Sequence, residues 1–241
     1  MSQLWIFLES LVGDAVVPIP PDEARHVAAR RLRVGDAVVA FDGAGRTAPA
    51  RIETLGKRRV ELRVDRVEQT PAPGDRWILA TAIPKGERLG TMLPMLVQLG
   101  VPVWQPLVLA DSAVRDLDVR SPRMRRTLVE SAKLARRPWL MEVGEPCELD
   151  ALLANPHFPA GPAVLCYGDR EGGEIGVPDS AALVVIGPEA GLGRDEIRRL
   201  QVAGARACSL GMHNLRIETA AVAAAAARFA ARKAGRAERD G

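Results

Sequence analysis

The stretch Ala181-Ala182-Leu183-Val184-Val185-Ile186-Gly187-Pro188-Glu189-Ala190-Gly191 decides the fold. Its first six residues are apolar with no polar alternation, the pattern of a strand buried on both faces of a parallel sheet. Gly187-Pro188 ends the strand, and Asp195–Ala203 reads as a helix. A second apolar strand, Ala205–Leu210, follows. It runs into Leu210-Gly211-Met212-His213-Asn214-Leu215-Arg216 and then an Ala-rich helix, Glu218–Lys233. Two strands, each followed by a Gly-containing loop and a helix, expose main chain at the carboxyl ends of neighbouring strands. Open α/β sheets bind their ligands there. Residues 181–220 therefore read as the binding half of a cofactor site.

Upstream, strand and helix alternate from Trp77. Trp77–Ile83, Val101–Leu107 and Ala163–Tyr167 read as strands. Gly86–Leu99 and Ser121–Arg137 read as helices, the latter with Pro122 in its first turn, where its missing N–H costs nothing. Before them, Thr70-Pro71-Ala72-Pro73-Gly74 stops both helix and sheet. The expected division is a domain over residues 1–72 and another over 73–241. In the first, Val60-Glu61-Leu62-Arg63-Val64-Asp65-Arg66-Val67 alternates with a period of two, giving a strand with one buried face. Strands are also expected over residues 4–8, 36–41 and 48–53. A helix from Pro20-Pro21-Asp22 to about Leu32 has its acids in the first turn and its arginines at the end, as the helix dipole favours.

The 241 residues are 47% hydrophobic but only 4% aromatic, so the core is aliphatic. Cys147, Cys166 and Cys208 are scattered and odd in number, which argues against a disulfide framework or a zinc site and for a reduced, cytoplasmic setting. The amino terminus lacks the basic flank of a signal peptide, and no stretch has the length of a membrane span. His26, His157 and His213 show no ligand spacing, so no metal is assigned. Net charge is +3, but its distribution is uneven. Residues 115–137 carry eight Lys or Arg against three acids, while residues 138–196 carry two against eleven. Clustered arginines are suited to contacting phosphates.

Two nucleotide motifs are excluded. Gly191-Leu192-Gly193 begins like a dinucleotide fingerprint, but Glu196 stands at the third glycine position and no acid ends the next strand. Nor is there P-loop spacing. The two loops instead suit an adenine edge held by main-chain groups in an apolar slot.

These residues resemble the RsmE family, 16S rRNA uridine N3-methyltransferases of the SPOUT (trefoil-knot) superfamily. The resemblance rests on Ile186-Gly187-Pro188-Glu189-Ala190-Gly191-Leu192 with Glu196, and on Leu210-Gly211 through Leu215-Arg216-Ile217-Glu218-Thr219-Ala220. Pro84-Lys85-Gly86-Glu87-Arg88, Leu99-Gly100-Val101, His26-Val27 and Leu32-Arg33-Val34-Gly35-Asp36 support it over almost the whole chain. The chain departs from the family pattern at Gln98, Ala190, Ile217 and Lys133-Leu134-Ala135.

The resemblance implies a PUA-like β-barrel that holds RNA, followed by a parallel α/β domain tied in a deep trefoil knot. It implies a homodimer whose knot helices pack together, with the helix Glu218–Lys233 as a dimer element. S-adenosylmethionine would be held by Cys166, Tyr167 and Gly168, by Ile186, Gly187, Pro188, Glu189 and Gly191, and by Leu210, Gly211, Asn214 and Leu215. The substrate would be 16S rRNA or the assembled small ribosomal subunit. Arg216 is the candidate for orienting the uridine or stabilising its anion, with Glu218 or Glu189 organising it or taking the N3 proton. The alternative for Arg216 is a simple pairing with Glu218. Arg25, Arg30, Arg31, Arg33, Arg123, Arg126 and Arg137 are candidate RNA contacts. Two other readings stay open: a knotted methyltransferase acting on another RNA site, and a non-catalytic RNA-binding assembly factor.

Overall fold

Alternation of apolar and charged residues builds the amino-terminal sheet. In chain order its elements are β1 (Leu4–Phe7), β2 (Ala15–Pro18), α1 (Pro21–Ala29), β3 (Ala37–Phe41), β4 (Arg46–Leu55), β5 (Val60–Val64) and β6 (Glu68–Gln69). The structure, a computed structural model, describes residues 3–56, 59–73, 77–154, 164–174 and 182–237. The strands run in the order β1-β3-β4-β5-β2, with β6 on β4. Only β1 and β3 are parallel. In β5, Val60, Leu62 and Val64 turn inward against Ile6, Val27, Val38 and Ile52, while Arg63 faces water.

Helix α1 starts with Pro21 at its first turn and ends in a paired capping turn. Arg31 N–H donates to Ala28 O at 2.9 Å and Leu32 N–H to Val27 O at 3.2 Å. These are the two bonds of a Schellman motif, whose left-handed residue is usually glycine. Here it is Arg31, at φ +54°.

The second sheet is parallel throughout. Its elements are β7 (Trp77–Ala82), α2 (Glu87–Gln98), β8 (Val103–Val108), α3 (Pro122–Ala135), β9 (Glu142–Val143), β10 (Cys147–Glu148), α4 (Leu149–Leu153), β11 (Val164–Glu174), β12 (Ala182–Ile186), α5 (Arg194–Val202), β13 (Arg206–Ser209) and α6 (Ile217–Ala237). The strand order is β10-β8-β7-β12-β11-β13, with β9 on β8. All five residues of β12 are buried, as its unbroken apolar run requires. Helix α6 packs on α2, β7 and β12 through Ala220, Ala221, Ala224 and Ala225. Strand β11 extends past Tyr167 through a bulge, so that both Gly168 and Gly173 stand opposite Cys208.

The chain divides into one unit of Met1–Ala72 with Val129–Leu140 and another of Pro73–Leu128 with Met141–Gly241. The segment Val129–Leu140 groups with the first for a chemical reason. The Lys133 ammonium lies 2.9 Å from both Glu23 carboxylate oxygens, 2.8 Å from His26 Nδ1 and 3.0 Å from Glu130 Oε1. Lys133 and Glu23 are both buried, so each charge has the other as its counter-ion. The departure at Lys133 thus has a partner in this chain's own Glu23.

Candidate cofactor site

Strands β12, β11 and β13 lie side by side, and the loops after β12 and β13, with the bulged part of β11, enclose a cavity of about 390 Å³. Tyr167 and Gly168 reach it from β11. Ile186, Gly187, Pro188, Glu189 and Gly191 reach it from the β12 end, and Leu210, Gly211, Asn214 and Leu215 from the loop after β13. Cys166 is not in the lining. It is buried one residue earlier and hydrogen-bonded to Cys208 on the adjacent strand, and that bond, with burial, pushes its thiol well above the ordinary range.

The β12 loop is built around two glycines. Gly191 N–H donates to Pro188 O at 2.8 Å, closing a tight turn, and Gly191 takes φ +85°. A Cβ on Gly187 would lie 3.0 Å from Leu192 Cγ and 3.1 Å from the Gly191 carbonyl carbon. The loop thus folds directly onto the strand end, where a Cβ at position 187 would make Leu192 and the Gly191 main chain shift by a few tenths of an ångström. Ala190 lies outside the left-handed region, so an alanine there carries no backbone strain.

Glu196 locks this loop from below. Its Oε1 accepts the Ala110 N–H at 2.8 Å and its Oε2 the Gly193 N–H at 2.7 Å, tying the segment after β8 to the start of α5. This explains why an acid stands where a dinucleotide fingerprint has glycine.

The rim carries Asp169, Arg170 and Glu171, which the sequence reading passed over. The available signal was charge directly after an apolar strand, at the binding end of a parallel sheet. Asp169 Oδ1 accepts the Glu171 N–H at 2.9 Å, bending the chain over the cavity. Glu189 is engaged: its Oε1 accepts from Arg88 Nη1 at 2.6 Å. His213 also reaches the lining.

Arg216 and Glu218 stand at the start of α6, beside Leu215 and Ala220 of the lining in sequence, and neither lines the cavity itself. Arg216 is exposed and makes no ion pair with Glu218 or any other described residue. Glu218 is half-buried, and its Oε2 is closed off from solvent with no hydrogen-bond partner among the described residues. An unpaired buried carboxylate oxygen costs free energy unless something donates to it. Ile217 is buried in the core.

The cavity fits S-adenosylmethionine on three counts. Its volume falls within the roughly 300–1,000 Å³ of small-molecule sites. Ile186, Leu192, Ile197 and Leu215 give an apolar slot for a base beside uncovered glycine main chain. Asp169 and Glu171 bring negative charge towards a ligand that carries a sulfonium.

The arginines expected to contact RNA are dispersed. Arg25 and Arg31 line a separate groove on the first unit, and Arg30 and Arg33 flank it in sequence. Arg123 and Arg126 are exposed on α3, while Arg137 is half-buried, and desolvation pushes it down to about 10, leaving it charged at neutral pH. Glu23, His26 and Glu130 converge as metal ligands do, but the Lys133 ammonium already takes the cation's place among them.

Comparison with known proteins bears on both units. The model of an RNA methyltransferase domain matches residues 71–228, and that of an RNA methyltransferase PUA domain matches residues 19–65. Ribosomal RNA small subunit methyltransferase E of Mycobacterium bovis is 32% identical over 230 residues, covering 87% of this chain and 84% of that protein. The protein of the same name from Bacillus subtilis is 25% identical over 217 residues, covering 84% and 85%. The crystal structure of a ribosomal RNA small subunit methyltransferase E from Neisseria gonorrhoeae bound to S-adenosyl methionine matches with a TM-score of 0.82 and 26% identity, covering 94% of this chain and 96% of that one. With a matching methyltransferase domain over most of its length, a PUA domain ahead of it and a relative this similar end to end, the chain belongs to the ribosomal RNA small subunit methyltransferase E family.

Proposed function

We propose that this S-adenosylmethionine-dependent methyltransferase modifies N3 of a uridine in 16S rRNA of the small ribosomal subunit, working as a homodimer. The observation that carries the reading is the cavity closed by the loops after β12 and β13 and the bulged part of β11, with Glu218 Oε2, unpartnered among the described residues, on the helix that follows. Bound S-adenosylmethionine supplies an electrophilic methyl group on sulfur. In the reaction the N3–H proton leaves, an N–CH₃ bond forms and the S–CH₃ bond breaks, releasing the neutral thioether. Glu218, whose Oε2 has no donor among the described residues, is assigned the N3 proton once its carboxylate turns from its buried position towards the cavity. Arg216, with no acidic partner among the described residues, is suited to balance the negative charge that develops on the uracil. Glu189, held by Arg88, positions the loop. The uridine must leave its stack to reach the cavity.

The test is methyl transfer to 30S subunits, with mapping of the modified base. Arg216→Ala and Glu218→Gln should bind S-adenosylmethionine normally and lower kcat by about 10²–10⁴. Wild-type rates in both would remove their roles. A methyl group on ribose or on another base would replace the uridine assignment. Cofactor binding without transfer to any RNA would leave an assembly factor.

Two further points belong to the proposal. A trefoil knot is supported by the path of α6, which follows edge strand β13 yet packs on β7, β12 and α2, so the chain recrosses the sheet end. The dimer is supported by Phe229, a large apolar residue 58% exposed on α6, whose alanine face is already used within the chain. Phe229→Asp should give a monomer by light scattering and lose methyl transfer.

A further inference from the structure

The bulge in β11 forms a strap over the cofactor cavity. Gly168 and Gly173 both stand opposite Cys208, so residues 169–172 leave the ladder between them. The strap is pinned at its far end by close packing. A Cβ on Gly172 would lie 2.5 Å from Cys208 N and 2.6 Å from the Ala207 carbonyl carbon, so the strap rests directly on the main chain of β13. At its near end Asp169 Oδ1 accepts the Glu171 N–H at 2.9 Å, a bond that fixes the turn and the carboxylate together. Asp169, Arg170 and Glu171 all line the cavity.

The charges around the cavity do not cancel. Its carboxylates are Asp169, Glu171 and Glu189, and its guanidinium is Arg170. Glu189 is paired with Arg88 at 2.6 Å, and Glu171 with Arg170 at 3.4 Å. Asp169 makes no ion pair among the described residues, and the donor it does have is the neutral Glu171 N–H, on Oδ1. Its Oδ2 is left for a ligand. Asp169 is half-buried, where a charge is felt more strongly than in open water.

Methyl transfer turns the positive sulfur of S-adenosylmethionine into the neutral thioether of S-adenosylhomocysteine. Adenine, ribose, ammonium and carboxylate are common to both forms, so an unbalanced negative charge distinguishes them only at the sulfur. We propose that Asp169 is a specificity-determining residue, whose carboxylate faces the sulfonium and makes the cavity prefer the charged cofactor to the neutral product. This rests on the methyltransferase reading. The apolar slot of Ile186, Leu192, Ile197 and Leu215 takes the base, so the charged end of the ligand falls to the rim that the strap forms. The attraction vanishes with the transferred methyl group, which favours product release. It is strongest before transfer, because the positive charge is being spent in the transition state, so it acts on binding rather than on the chemical step.

The experiment is calorimetric titration of the full-length wild type and Asp169→Asn with S-adenosylmethionine, S-adenosylhomocysteine and sinefungin, which carries an ammonium-bearing carbon in place of the sulfonium. The amide keeps the Oδ1 acceptor and removes only the charge, so Tm should not change. The wild type should bind both cationic ligands more tightly than the thioether. Asp169→Asn should weaken the cationic ligands about tenfold and leave the thioether nearly unchanged. In methyl transfer to 30S subunits its KM for the cofactor should rise by the same factor while kcat holds. Equal weakening of every ligand overturns the proposal, because Asp169 would then hold the ribose or the amino-acid group. So does a lower kcat at unchanged KM, and so does a wild type that binds the thioether as tightly as the sulfonium. If Asp169→Asn keeps the wild-type preference while the wild type methylates 30S subunits, the role of Asp169 falls and the enzyme reading stands. If Asp169→Asn loses the preference but the wild type methylates no RNA, the enzyme reading falls and the charge discrimination stands.

Discussion

Gly191 and Gly187 show how single residues shape the cofactor loop, for different reasons. Gly191 is left-handed at φ +85° with open space around its Cα, so Gly191→Ala costs only backbone strain. The expected loss is about 1–2 kcal/mol, seen as a lower midpoint in urea unfolding. Gly187 is constrained by space instead: a Cβ there would meet Leu192 and the Gly191 main chain. Gly187→Ala should therefore leave unfolding nearly unchanged while shifting the loop, weakening S-adenosylmethionine at least tenfold by calorimetry. Equal cofactor affinity in Gly187→Ala and wild type would mean that the loop has slack. The sequence marked both glycines as loop residues. It did not show which was conformational and which steric, because that depends on where Leu192 packs.

Among the elements, two buried carboxylates act as fasteners. Glu196 joins the segment after β8 to the first turn of α5 with two hydrogen bonds to main-chain N–H groups. Glu196→Ala removes both and should destabilise the fold by about 1.5–3 kcal/mol per charged bond, moderated where water enters. Since the cofactor loop ends at Gly193, cofactor affinity should drop with stability. Glu23 and Lys133 fasten α1 to the end of α3. Lys133→Met leaves a buried carboxylate without its counter-ion and should cost about 3–5 kcal/mol in urea unfolding. Lys133→Met combined with Glu23→Gln should recover much of that loss, because neither charge is then stranded. A double variant as unstable as the single one would show that packing, not charge, holds this contact.

On the scale of the whole molecule, a net charge of +3 is too small to account for RNA binding by itself. What counts is local: arginines on α1, on α3 and around the groove. RNA affinity should accordingly fall steeply with salt, with a log–log slope of about 0.7 for each phosphate neutralised on a single strand. A flat response would exclude an electrostatic role for these arginines. No helix among the described residues is long and apolar enough to cross a membrane.

Local patterns were readable without coordinates wherever a residue's role depends on its neighbours in the chain. The unbroken apolar run of β12, the period-two alternation of β5, Pro21 at the start of α1 and the two glycine loops are of this kind. Short β2, β9 and β10 escaped notice because a few residues carry too little periodicity. The extension of β11 escaped because its bulge exists only against β13. Long-range electrostatics was likewise decided only by folding. Glu23 and Lys133 are 110 positions apart, as are Arg88 and Glu189 by 101, and nothing local in either segment names its partner. The sequence by itself determined the longer strands, the two glycine loops and the resemblance to the family, since these follow from short-range pattern. Tertiary structure decided which charges are neutralised, which carboxylate oxygen is left without a donor and which arginines border a groove, since Coulomb and desolvation energies depend on distance and burial in space.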